Sequence, residues 1–312
     1  MKRLSILIFG FALAASAFAA QPLLAPTELQ LKLADPQVRV IDIRDAASYG
    51  GNHIPGAVNA PYATWRGPAT NPGELPPLSK LTELVQGLGL TPASHAVVVS
   101  SGADATDFGA TARVYWTLKV LGLKELSVLN GGVKAWSQAG LALNNAPVKV
   151  SASRFEPKLD SSLIATKEEV TQRVKSGDSV LIDARPVAFF NGETRAPAAK
   201  EAGTLPGAVN LQHDKWFAPG SSTFVSTDQA RLIAASSPIN PAKETVSFCN
   251  TGHWASTNWF AMSEVLGQKN VKLYAGSMVE WSQDAGLPMA NAPSRGKQLL
   301  QDAKMWVDKA FK

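Results

Sequence analysis

The chain has 312 residues, 45% of them apolar and 18% charged, which is enough for two domains with cores of their own and speaks against intrinsic disorder. Its formal charge of +5 includes Lys2 and Arg3, and no run of lysine and arginine is interleaved with aromatics, so no nucleic acid partner is expected, while small anions remain open as substrates. One cysteine and four histidines exclude an internal disulfide and offer no zinc-ligand spacing, so neither a metal nor an organic cofactor is expected.

Residues 1–20 open on Met1-Lys-Arg, continue through an apolar run from Leu4 to Ala15 and close on Ser16-Ala-Phe-Ala-Ala20, the three parts of a secretory signal. The expectation is cleavage near Ala19/Ala20 and a mature protein that is periplasmic or secreted. The apolar run is too short to span a bilayer and no later stretch approaches the necessary length, so no stable membrane insertion is expected. No cysteine stands at the cleavage site to carry a lipid anchor.

Beyond the signal, short β-branched runs at Val38 to Ile43, Ala96 to Val99 and Leu126 to Leu129 alternate with helical stretches such as Thr111 to Leu121. That alternation predicts an α/β domain with a parallel sheet flanked by helices. The pattern then returns. Val40-Ile-Asp-Ile-Arg44 recurs as Leu181-Ile-Asp-Ala-Arg185, and His53-Ile-Pro-Gly-Ala-Val-Asn59 as Thr204-Leu-Pro-Gly-Ala-Val-Asn210. Gly131-Gly-Val-Lys-Ala-Trp136 matches Gly276-Ser-Met-Val-Glu-Trp281. Matches in the same order indicate a duplicated domain. The copies are placed at residues 21–147 and 161–312, joined through 148–160 within the proline-bearing polar stretch Asn144 to Asp160. From Lys297 to Phe311 apolar residues recur at helical spacing and predict an amphipathic C-terminal helix with no counterpart in the first copy.

Cys249 lies in Thr245-Val-Ser-Phe-Cys-Asn-Thr-Gly-His-Trp-Ala-Ser256, where a strand-like run breaks into a short polar loop before a helical segment. A tight turn there aims several N–H groups at one point, and the helix adds the positive end of its dipole, so a thiolate is favoured over a thiol. The competing reading is an inert core cysteine. Aligning Val97 to Val99 with Val246 to Phe248 sets Ser100 opposite Cys249, and a hydroxyl lacks the acidity and sulfur affinity of a thiol. The first copy is therefore expected to be catalytically silent and to wall one side of the site.

The Ile-Asp-x-Arg strands, the Pro-Gly-Ala-Val-Asn turns, the Leu-Asn-Gly-Gly stretch ending at Trp136 and the cysteine loop together resemble a tandem-domain rhodanese, the family of thiosulfate and 3-mercaptopyruvate sulfurtransferases, over nearly the whole mature chain. The resemblance implies two rhodanese-like domains with the nucleophile, Cys249, in the second. It further implies a substrate-binding loop of Asn250, Thr251, Gly252, His253, Trp254 and Ala255, with Arg185 beside the substrate and Asp183 supporting it. Thiosulfate-preferring members typically carry Cys-Arg-Lys-Gly-Val-Thr and mercaptopyruvate-preferring ones Cys-Gly-Ser-Gly-Val-Thr. Here Asn250 and Thr251 replace the Arg-Lys pair, which removes two cations beside a dianionic donor. Gly252 keeps its place, as a tight turn requires. His253, if protonated, replaces part of the missing charge and stabilises the thiolate, or else only hydrogen-bonds backbone. Trp254 narrows the pocket or packs beneath the loop. Arg44 occupies the place of Arg185 in the silent copy, so a structural pair with Asp42 and Asp183 competes with a substrate role. Arg195 and Lys200 fall in a polar excursion that borders the site or stands apart from it.

The implied reaction is a double displacement. A small sulfur-containing anion gives its outer sulfur to the Cys249 thiolate, and a thiophilic acceptor, cyanide or a thiol including a protein thiol, removes it from the persulfide. The alternative is a periplasmic persulfide carrier or an anion-binding rhodanese module with little turnover. Phosphate-ester hydrolysis on a Cys-x5-Arg loop is disfavoured because Ala255 stands where the arginine belongs. A cysteine hydrolase built on Cys249 and His253 lacks a third group to orient the histidine.

Overall fold

The computed structural model describes residues 20–294, 296–300 and 303. The signal-like segment lies outside the described residues except for Ala20, and so does most of the stretch assigned to the C-terminal helix. Residues 296–300 are helical, yet Leu299 and Leu300 are 69% and 72% exposed, so these two do not form a docked apolar face.

The first domain runs β1 (Leu23–Leu24), α1 (Pro26–Lys32), β2 (Val38–Asp42), α2 (Ala46–Gly51), β3 (Val58–Asn59), α3 (Leu78–Gly87), β4 (His95–Val99), α4 (Ala105–Val120), β5 (Leu126–Leu129) and α5 (Gly132–Gln138). The second runs α6 (Lys167–Ser176), β6 (Val180–Asp183), α7 (Val187–Phe190), β7 (Val209–Asn210), α8 (Thr227–Ala235), β8 (Thr245–Phe248), α9 (His253–Phe260), β9 (Val271–Leu273) and α10 (Ser277–Trp281). All strand pairs within these two sheets are parallel, in the orders β1-β5-β4-β2-β3 and β7-β6-β8-β9. The second sheet is the first without its edge strand, whose place is taken by a single parallel bridge from Ile164 to Leu273. Central strands read as continuous apolar runs because both their faces are covered: Ala96 to Val99 are all buried, as are Val246 to Phe248.

In the second sheet the chain steps from β6 to one side for β7 and to the other for β8, so the C-terminal ends of β6 and β8 flank a topological switch point, where open α/β sheets bind ligands. Asp183 is in register with Phe248, which sets the residues after β6 beside the residue after β8.

The two domains meet along α4 and α9. Nearly all of α4 is buried, and a Cβ on Gly109 would stand 2.9 Å from Nε2 of His253, so glycine is what lets these helices approach. Further along, Tyr115 Oη donates to Glu264 Oε2 at 2.7 Å, and Lys119 Nζ reaches the same oxygen at 2.7 Å, tying the domains by a charge-assisted pair at the edge of the apolar contact. The linker stretch has no regular structure and lies along the first domain, where Gln86 Nε2 donates to the carbonyl of Phe155 and the Ser153 N–H donates to the carbonyl of Gln86.

Candidate active site

Cys249 follows β8 directly and is 1% exposed. Its loop ends at Gly252, which holds φ +69 as the residue before α9. A side chain there is excluded on a second count, because a Cβ would meet Arg113 Nη1 at 2.6 Å and the carbonyl of Ala275 at 2.7 Å.

The loop is held from beneath by Ser277. This residue sits at φ +54, a backbone region uncommon for a side chain with a Cβ, and is completely buried. Its hydroxyl donates to the carbonyl of Tyr274 at 2.7 Å and accepts the N–H groups of Cys249 and Gly252 at 3.0 and 3.1 Å. The N–H groups of Met278 and Val279 donate to the carbonyls of Cys249 and Asn250. The N–H groups of Asn250, Thr251, His253 and Trp254 take no acceptor among the described residues. A curved backbone with such free donors at a helix start is a nest for negative charge.

The first domain holds the loop from the other side. After β3, a helical turn from Tyr62 to Trp65 brings Tyr62 and Arg66 across the domain boundary. Arg66 Nη2 donates to the carbonyl of Thr251 at 2.9 Å, and its Nη1 donates to Tyr62 Oη at 3.0 Å. Tyr62 Oη meets His253 Nδ1 at 2.8 Å, while His253 Nε2 meets the carbonyl of Thr106 at 2.7 Å. A carbonyl only accepts, so Nε2 carries the proton and Nδ1 accepts from the tyrosine hydroxyl. Burial, with the Arg66 cation next in order, pushes His253 down to about 4. His253 is therefore neutral at physiological pH, and of the two roles considered for it the hydrogen-bonding one is realised. It does not replace the missing loop cation.

Trp254 packs instead of lining an open pocket: its ring stacks on His213 at 4.9 Å with an 11° interplanar angle and meets Phe189 edge-on. His213 stands in the second domain where Tyr62 stands in the first, three places after the repeated Pro-Gly-Ala-Val-Asn turn. Each domain thus clamps one of the first two residues of α9 through equivalent positions. Ala255 is buried in the first turn of α9.

Arg185 does not stand free for a substrate. Its Nε and Nη2 bind both oxygens of Asp183, with Nη2–Oδ2 at 2.6 Å, and Nη2 also donates to the carbonyl of Gly203. Asp183 is completely buried and also accepts the Thr204 hydroxyl. Arg44 grips Asp42 in the same way in the first domain, so the pair is first of all a device that shapes the strand end. What is particular to Arg185 is Nη1, which donates to Asn250 Oδ1 at 3.2 Å and so links the pair to the residue after Cys249. Of the polar excursion, Arg195 turns back on the carbonyl of Ala199, and the Lys200 N–H donates to Ser282 Oγ just after α10.

Ser100 occupies the equivalent of Cys249, with Val133 N and Lys134 N donating to the carbonyls of Ser100 and Ser101. Here the nest is filled from within: Asp107 Oδ2 accepts the Ser100 hydroxyl at 2.8 Å and the N–H groups of Gly102 and Ala103 at 2.6 and 3.3 Å.

Tyr62, Arg66, Arg113 and Ser277 were not among the expected site residues. Only Ser277 left a signal, as the one departure from the Gly131-Gly132 pair in the repeated motif; the other three are brought in from sequence positions well over a hundred residues away.

A buried thiol in an amide-lined loop, at the switch point of the second of two like α/β domains, defines a two-domain protein with one reactive centre. The family model of the rhodanese-like domain matches residues 25–139 and 166–284. Curated relatives include a thiosulfate sulfurtransferase of Azotobacter vinelandii, 32% identical over 87% of this chain and 98% of its own length. A thiosulfate sulfurtransferase of Pseudomonas aeruginosa is 31% identical over 88% and 99%, and the sulfur carrier protein TtuD of Thermus thermophilus is 31% identical over 84% and 94%. Among solved structures, the 3-mercaptopyruvate sulfurtransferase SseA of Escherichia coli superposes with a TM-score of 0.72 at 25% identity, covering 83% of this chain and 99% of SseA. The chain belongs to the rhodanese family, as a rhodanese-type sulfurtransferase of two rhodanese domains.

Proposed function

We propose that the protein moves a sulfane sulfur through a persulfide on Cys249, with thiosulfate or a related small anion as donor. The thiolate attacks the outer sulfur of thiosulfate, the S–S bond of the donor breaks, and sulfite leaves with the bonding pair; Cys249 then carries the sulfur as an anionic persulfide. Cyanide or a thiol attacks that outer sulfur, and the cysteine thiolate departs with its electrons. Net charge is conserved in each step, and neither needs a general acid or base.

The observation that carries this reading is the nest: thiolate and persulfide are both anions, and the free N–H groups of Asn250, Thr251, His253 and Trp254 suit a charge that persists through the cycle. The relatives' names support thiosulfate as the donor to test first, with 3-mercaptopyruvate as its rival. The signal-like first twenty residues support a setting in the periplasm, where a lone thiol has no partner within its own chain.

Steady-state formation of thiocyanate from thiosulfate and cyanide tests the proposal. Parallel double-reciprocal lines at varied cyanide, abolished in Cys249→Ser, are the expected result; intersecting lines, or activity in the serine variant, reject a covalent relay.

A second reading, a carrier that passes its sulfur only to a protein thiol, is favoured by the 1% exposure of Cys249 and by the likeness to a sulfur carrier protein. It is separated by sulfur that loads from the donor but is not removed by cyanide.

A further inference from the structure

Arg113 is the least explained charge in the described structure. It lies on α4 of the silent domain and is completely buried. One nitrogen, Nη2, donates to the carbonyl of Gly73 at 2.7 Å, and the guanidinium lies 5.0 Å from the ring centre of Trp116. Nε and Nη1 have no hydrogen-bond partner, and no carboxylate pairs with it among the described residues. Isolating a cation in this way is costly, and the cost is tolerated in a folded protein where a compensating charge is present in the working state.

The direction of Nη1 says where that charge lies. It occupies the space that a Cβ on Gly252 would need, which puts the guanidinium against the back of the Cys249 loop. The titratable and charged groups facing it are Arg66, Tyr62, His253 and Cys249. Arg66 is another cation, His253 is neutral, and burial holds Tyr62 above its ordinary value and therefore protonated. Burial pushes Arg113 down to about 9, where it is still cationic at neutral pH, and among its neighbours the tyrosine and the cysteine act to raise it. The group left to face it with a negative charge, in the proposed cycle, is the sulfur of Cys249.

We infer that Arg113, contributed by the silent domain, is the electrostatic positioning residue that stands in for the cations absent from the 250–255 loop and stabilises the anionic forms of Cys249 from behind the backbone. The inference rests on the proposed chemistry of Cys249. It also gives the silent domain a part in the reaction that its own Ser100 cannot play.

The test is the rate of Cys249 alkylation by iodoacetamide, followed by intact mass as a function of pH, in the full chain and in Arg113→Met, Arg113→Gln and Arg113→Lys. Loss of the charge in the Met and Gln variants is expected to slow alkylation at neutral pH by about three- to tenfold and to move the profile to higher pH, with the Lys variant close to the parent. Gln keeps an N–H donor toward Gly73 and decides the question where Met does not fold, with thermal melting as the check on folding. A Met or Gln variant that folds with an unchanged profile overturns the inference. Alkylation needs no sulfur donor, so a shifted profile in a protein that takes up no sulfur would reject the transfer chemistry and keep the role of Arg113. An unshifted profile with normal sulfur uptake would do the reverse.

Discussion

The loops after β4 and β8 share a backbone plan and differ in what fills it. Both receive a pair of N–H groups from the start of the following βα connection, onto Ser100 and Ser101 in one and onto Cys249 and Asn250 in the other. Behind the first loop, in the β5–α5 connection, Gly131 and Gly132 are both left-handed, and the carboxylate of Asp107 enters the nest to take two backbone N–H groups and the Ser100 hydroxyl. Behind the second, in the β9–α10 connection, only Ser277 is left-handed; its hydroxyl takes the Cys249 and Gly252 N–H groups from beneath, and no carboxylate bonds these N–H groups among the described residues. The first nest is filled by a carboxylate of its own helix; the second leaves its remaining donors open, as the proposed anionic chemistry requires. The silence proposed for the first domain then has two causes, the hydroxyl at position 100 and the occupied nest around it.

Breaking the comparison at its centre gives the largest effect. Cys249→Ser makes the second loop like the first in its nucleophile, and sulfur transfer is expected to fall to background while the melting temperature stays near that of the parent. Ser277→Gly places the first domain's residue type behind the second loop: two N–H groups lose their acceptor, and turnover is expected to fall about tenfold to a hundredfold, measured as thiocyanate formation. Glycine relieves the φ of +54, but this offsets only part of the cost of two buried N–H groups left without an acceptor, so a stability loss of about 1–3 kcal/mol by denaturant unfolding is expected, and turnover is compared where both proteins are fully folded.

The converse exchange sharpens the comparison. Ser100→Cys installs a thiol in the silent loop with Asp107 still in place, and this second thiol is expected to take up no sulfur, read as a single added sulfur by intact mass. Asp107→Ala removes the acceptor shared by the Ser100 hydroxyl and the Gly102 and Ala103 N–H groups and is expected to cost about 1 kcal/mol of stability by denaturant unfolding, since these groups are only partly buried.

How much of this was legible beforehand depended on distance along the chain. The strand Leu126–Leu129 has the bounds its apolar run implied, and Cys249 stands at a strand end as its flanking residues suggested, because both are local patterns. The duplication was legible for the same reason, as identical short motifs in order. The change from Gly132 to Ser277 was visible in that alignment, but a hydroxyl that binds two amides cannot be told from an ordinary serine without the turn that aims it. Arg185 was recognised as a site residue and its pairing with Asp183 was one of two readings of the repeated motif, yet its bonds to Gly203 and Asn250 follow from side-chain geometry alone. The contributions of Tyr62, Arg66 and Arg113 depend on how α4 packs on α9, and no spacing within either copy encodes that.

Smaller effects probe the clamp on α9. Tyr62→Phe removes the hydroxyl between Arg66 and His253 and is expected to lower kcat/KM about threefold with little change in melting, since the ring stays packed. His253 also carries a pH signature. Burial holds its pKa down from the usual 6.5 to about 4, so between these values the unfolded chain binds more protons and folding stability falls as pH drops through that window. His253→Gln is expected to melt with a shallower dependence on pH between about 6.5 and 4 than the parent, measured by thermal unfolding across that range.

The central claim is that sulfur travels on Cys249, and the most direct measurement is the intact mass of the protein after exposure to thiosulfate or 3-mercaptopyruvate, before and after cyanide, beside Cys249→Ser. The account expects one added sulfur from at least one donor, removed by cyanide and absent from the serine variant. No added sulfur from either donor, or sulfur on the variant that lacks the thiol, would contradict it.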